Sequence, residues 1–145
     1  MKTLAFAALL TGISLSSLAA GPLSHYRWKN RILILDFSGA EAEALAEFEK
    51  QILRNGDGLK DRDLILFHVG ELGKRGKRYA EPLSDKSRAA LRRQLGLGET
   101  SRGASVTLLG KDGSTKSVQR AKLSLVTFFA LIDAMPMRRE EMRRP

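Results

Sequence analysis

Hydrophobic residues in this chain come in blocks whose spacing changes along its length. Ile32-Leu33-Ile34-Leu35-Asp36-Phe37 is a nearly unbroken apolar run of strand length. Continuous rather than alternating hydrophobicity predicts a strand covered on both faces, as in a parallel sheet. Ser38-Gly39 interrupts it, and Ala40 to Arg54 is rich in the helix formers Ala, Glu and Leu. There Leu45, Phe48 and Ile52 recur at three and four residues while Glu43, Glu47 and Lys50 keep the other side polar. Asn55-Gly56 ends this helix, and Asp57 to Arg62 reads as a polar turn. Leu64 to Val69 is a second strand-length apolar run, so the first half predicts a βαβ unit with parallel strands.

The second half is patterned differently. Gly70 to Leu83 is irregular, with Gly73, Gly76 and Pro82. Ser84 is placed to cap a short basic helix, Asp85 to Leu95, that stops at Gly96. Val106 to Leu109 and Thr115 to Val118 flank Lys111-Asp112-Gly113-Ser114, a hairpin signal. Ser124 then caps a helix carrying Leu125, Phe128, Phe129, Ile132 and Met135, which Pro136 stops. In the charged tail after Met137, Pro136 is suited to open one last helical turn that pairs Glu140 with Arg144. The expected fold is α/β, in the order β-α-β-α-β-β-α, with a mixed four-stranded sheet flanked by helices. That layout is similar to the thioredoxin core. The aromatic residues Phe48, Phe128 and Phe129 sit at core spacing and are expected to pack rather than bind.

Residues 1–19 stand apart. A basic start at Lys2, an apolar run from Leu4 to Ile13 and the small-residue stretch ending Ser17-Leu18-Ala19 read as a signal peptide cleaved after Ala19. An uncleaved anchor is the alternative, since Thr3 to Ala20 is uncharged and about the shortest stretch able to span a bilayer. The expected mature protein is one domain, residues 20–145, periplasmic or secreted. No cysteine follows the apolar run to carry a lipid, and no later segment is apolar enough to span a membrane.

Composition narrows the chemistry. Lys and Arg number 25 against 16 Asp and Glu, a formal net charge of +9. Such an excess favours anionic partners and also keeps a protein soluble. Cysteine is absent from all 145 residues. A hydroxyl such as that of Ser38 cannot replace a thiolate, which rules out thiol–disulfide exchange and thiol peroxidase chemistry.

Three stretches carry a resemblance: Tyr26-Arg27-Trp28-Lys29-Asn30-Arg31, Leu108-Leu109-Gly110-Lys111-Asp112-Gly113 followed by Lys116, and Phe129 to Met142 with its Ala134-Met135-Pro136-Met137-Arg138-Arg139-Glu140-Glu141-Met142 ending. Together they resemble the bacterial domain-of-unknown-function family 4174 over nearly the whole mature chain. That family is similar to domains of some animal extracellular-matrix and sushi-repeat proteins. The resemblance implies a thioredoxin-like fold and brings no catalytic residue or activity with it.

Candidate sites are few. Asp36, Ser38 and His68 hold the residue types of a hydrolytic triad, without the Gly-x-Ser-x-Gly turn that presents such a serine. A turn serine and a strand histidine are the plainer reading. His25 and His68, even with Asp36 or Asp63, show no metal-ligand spacing, so no metal or cofactor is expected. The basic loop Lys74, Arg75, Lys77 and Arg78, extended by Arg88 and Arg92 on the next helix, is the best binding candidate, for an anionic partner. A solvated loop serving solubility is its plain alternative. The expectation is a non-catalytic exported module that binds an envelope or extracellular protein. The alternatives are a non-thiol enzyme near Asp36, Ser38 and His68, and a basic binder of anionic polymer.

Overall fold

The computed structural model describes residues 21–37, 42–70, 78–97, 103–120 and 122–144. Residues 1–20, where a signal peptide is expected, Ser38 to Glu41, and Lys74, Arg75 and Lys77 of the basic loop therefore lie outside the described residues. After a 3-10 turn at Ser24–Tyr26 come β1 (Arg31–Asp36), α1 (Ala42–Arg54), α2 (Gly56–Asp61) and β2 (Leu64–His68). There follow α3 (Asp85–Gln94), β3 (Ser105–Leu109), β4 (Thr115–Gln119), α4 (Leu125–Asp133) and α5 (Pro136–Arg143).

The four strands form one mixed sheet in the order β2-β1-β3-β4. β1 runs parallel to β2, with Arg31 opposite Leu64 and Leu35 opposite His68. It runs antiparallel to β3, with Ile32 opposite Leu109 and Asp36 opposite Ser105, and β3 pairs antiparallel with β4. An interior strand with helices on both sides is buried at every residue, which is why β1 reads as an unbroken apolar run. Leu33, Leu35 and Phe37 face a core built with Leu45, Phe48 and Ile52 of α1 and Leu125, Phe128 and Ile132 of α4. Ile32 and Ile34 face the other way, onto Phe67, Leu109, Leu23 and Leu91 of α3. The two expected caps form: Ser84 Oγ accepts from Ser87 N at 3.1 Å, and Ser124 Oγ from Thr127 N at 3.3 Å. Gly96 and Gly113, at φ +67° and +83°, take the left-handed conformation that ends α3 and turns the hairpin.

Two segments depart from expectation. The stretch expected as a polar turn after Gly56 is the helical turn α2. Its own sequence, with two glycines in six residues, is a poor helix former. Tertiary contacts hold it instead: Leu59 enters the core, and Gly58 lies so close under Phe129 that an added Cβ would meet its Cε2 at 2.7 Å. The charged tail is longer than the single helical turn expected. Pro136 stops α4 and opens α5, which runs for eight residues and buries Arg138.

Candidate functional site

In a sheet of this topology, ligands meet the carboxyl ends of the parallel strands. β1 ends there at Asp36 and β2 at His68. Strand alternation turns Asp36 to the α3 side, with Ile32 and Ile34, and His68 to the α1 side, with Leu64 and Leu66. Each is engaged on its own side. The Asp36 carboxylate, 2% exposed, accepts from Arg92 Nη1 of α3 at 3.0 Å, and the same guanidinium reaches the Val69 carbonyl at 3.3 Å. His68 Nε2 lies 3.0 Å from the Tyr79 hydroxyl, which donates to Glu49 Oε1 of α1 at 3.0 Å. The sheet itself separates Asp36 from His68, so they cannot work as the acid–imidazole pair of a triad. Reading one apolar run at a time does not reveal this, because the faces follow only from strand parity and register together.

The His68 ring is defined by its surroundings. Because the Tyr79 hydrogen goes to Glu49, its oxygen accepts from His68, so Nε2 carries the proton and Nδ1 the lone pair. Nδ1 is buried and has no hydrogen-bond partner. Burial disfavours the charged ring and lowers its pKa to about 4, so His68 is a neutral imidazole at physiological pH.

Of the expected basic patch, Arg78 is exposed on the loop, and Arg88 pairs with Asp85 one turn earlier in α3. Arg92 is a correction: its guanidinium turns inward to Asp36 instead of outward to a partner. The exposed cations of that helix are Lys86 and Arg93.

The polar cluster that sequence reasoning missed sits at the opposite end of the sheet, where β1 begins. Arg31 is 1% exposed, and Glu141 of α5 grips its guanidinium through two bonds of 3.1 and 3.2 Å while the Arg62 carbonyl accepts a third at 3.1 Å. Lys111, from the hairpin turn, reaches Glu141 at 2.6 Å and Asp63 at 2.8 Å. Arg62 forks onto Asp133 at 3.0 and 2.7 Å, and Arg138 joins Asp133 to Asp61. Burial alone would raise the Glu141 carboxyl, but hydrogen bonds from Arg31 and Lys111 outweigh it and hold the pKa below the usual range. The Arg62 hydrogen bond, helped by Arg138, does the same for Asp133. The three stretches that carry the resemblance converge here through Arg31, Lys111 and Glu141. They form a latch that fastens α5 and the hairpin to the start of β1. Beside it Trp28, 58% exposed, is held at φ +68° by its N–H bond to the Lys111 carbonyl, an unusual conformation for a bulky residue. The clue in the sequence was the alternating run Asp61-Arg62-Asp63, whose charges match Arg138 and Lys111 far along the chain.

Among the described residues, no group of three or more His, Asp or Glu side chains is placed to hold a metal ion, and no helix is long and apolar enough to cross a membrane.

Sheet order, parallel βαβ half and antiparallel hairpin half define a thioredoxin-like domain. Reduced 2-Cys peroxiredoxin of Plasmodium vivax is similar over 81% of this chain and 84% of its own, with TM-score 0.58 and 14% identity. A putative thioredoxin from Neisseria meningitidis is similar over 83% of this chain and 79% of its own, with TM-score 0.46 and 15% identity. At such identities the likeness is one of fold. None of the curated proteins matches the chain. The family does: the chain belongs to the one described as Domain of unknown function (DUF4174), whose model matches residues 22–141.

Proposed function

We propose that this chain is an exported binding module on a thioredoxin-like frame, with a basic surface as its contact for an acidic envelope or extracellular partner. The observation that carries the reading is how unevenly the charges are satisfied. Carboxylates of the sheet and helices are largely engaged in internal pairs, among them Asp36, Asp61, Asp63, Asp133 and Glu141. Lys29, Arg78, Arg93, Lys122 and Arg139 are exposed and have no carboxylate partner among the described residues. The positive excess of the sequence is thus displayed rather than neutralised, as attraction of an anionic surface requires. Export is supported by the residue pattern of the first 19 positions, which lie outside the stretch matched by the family.

Lacking sulfur nucleophiles, the frame serves as a scaffold and not as a thiol catalyst. The test is in the cell of origin: the chain is fractionated, and a photo-crosslinking residue is placed at Arg93 or Arg78. Recovery from the envelope or medium, with adducts to an acidic component that high salt suppresses, is expected. Recovery in the cytoplasm, or adducts indifferent to salt, contradicts the reading.

A further inference from the structure

A cavity of about 150 Å³ opens between the end of α3 and the β3–β4 hairpin, beside the Asp36–Arg92 pair and at the far end of β1 from the latch. Its existence follows from how far α3 reaches. Leu91 covers Ile32, Ile34 and Phe67 of β1 and β2, and α3 ends at Gln94. The same face of β3 is left with Ser105 and Thr107, while Val106 and Leu108 on its other face enter the α1–α4 core. Ser105 and Thr107 are only 7% and 5% exposed. Both line the cavity, as does Arg120, an exposed cation with no ion pair among the described residues. Among the described residues no acidic side chain lines it, and Leu95, Leu97 and Val118 supply an apolar wall.

We infer that this cavity binds a small organic oxyanion: a carboxylate or phosphate group held by Arg120 and the two hydroxyls, with a short apolar body against the three aliphatic side chains. A cavity of this volume admits a ligand of about six heavy atoms or slightly more. The donors suit the head group, because hydroxyls and a guanidinium all donate to anionic oxygen. The site shares no residue with the basic surface proposed above, so either assignment can fail alone.

The test is an NMR titration of the isotope-labelled chain with hexanoate, alongside hexanol and inorganic phosphate. Hexanoate is expected to move the amides of 105–107 and 118–120 saturably, with hexanol and phosphate each about tenfold weaker. R120Q should weaken hexanoate about tenfold and T107V several-fold, charge-assisted and neutral hydrogen bonds being lost respectively. T107V retains the shape of the side chain and should melt no lower than the parent, which separates lost binding from lost folding. No saturable shift up to roughly a hundred times a millimolar ligand's usual Kd range, the result if water alone fills the cavity, overturns the proposal. So does undiminished hexanoate binding in R120Q. Phosphate binding as tightly as hexanoate overturns the apolar half of the site.

Discussion

Replacing Glu141 by Gln tests the latch at its centre. The substitution retains shape and removes one charge. It leaves the Arg31 guanidinium, 1% exposed, with the Arg62 carbonyl and no carboxylate within a salt bridge, while Lys111 keeps Asp63. Breaking a buried pair on one side costs about 3–5 kcal/mol, since the remaining charge stays desolvated. The Glu141 side chain is 27% exposed, so water screens part of the loss and the lower end, about 3 kcal/mol, is expected. In urea, with a slope of about 1.5 kcal/mol per molar, the midpoint should fall by roughly 2 M at unchanged slope. The double variant R31M/E141Q should recover much of this, because an apolar side chain in place of the buried guanidinium removes the stranded charge. A midpoint shift under about 0.3 M, or a double variant less stable than E141Q, would refute the claim that this pair holds α5 to β1.

Other expectations follow from named contacts. The pKa of His68 is lowered from 6.5 to about 4, so between these values the unfolded chain binds a proton that the folded one refuses. Stability should therefore fall as pH drops through that window, by up to about 3 kcal/mol, and H68Q should flatten the profile there; an unchanged slope in H68Q contradicts the assignment. Asp133 and Glu141 have depressed pKa values, so their contribution is present above the ordinary carboxylate range and disappears as pH falls through the folded values. That later acid loss should persist in H68Q and shrink in E141Q. G58A gains about 1 kcal/mol of helix propensity but crowds the Phe129 ring, an overpacking cost of about 1–3 kcal/mol. A lowered melting temperature is expected, and a raised one would show that Phe129 moves aside freely.

What the sequence disclosed divides along physical lines. Features set by neighbours in the chain were legible: the two-sided burial of β1, the serine caps of α3 and α4, the Asp112-Gly113 hairpin. Each rests on periodicity or turn chemistry within a few residues. Features set by distant partners were not. α2 forms because Phe129 and Leu59 pack there, although its own residues disfavour a helix. Arg31 looks like an ordinary flanking charge until α5 brings Glu141 to it. The arrangement of the Asp36, Ser38 and His68 alternative was likewise set by distant partners. Asp36 and His68 are close in sheet register and look like partners, yet strand parity sends one to Arg92 and the other to Tyr79. Arg92 shares a helix with Arg88 and Arg93, but its position on that helix points it into the fold. The exposed and enclosed cations of one helix are told apart by what packs against them, which no local pattern encodes.

The central claim, a displayed basic surface on a thiol-free frame, is tested most directly by binding of the purified chain to polyglutamate and to phosphatidylglycerol vesicles across a salt series. The account predicts binding at low salt that weakens steeply between about 50 and 200 mM, and further weakening when Arg78 and Arg93 are both changed to Glu. Salt-independent binding, or none to either anion at low salt, would contradict it.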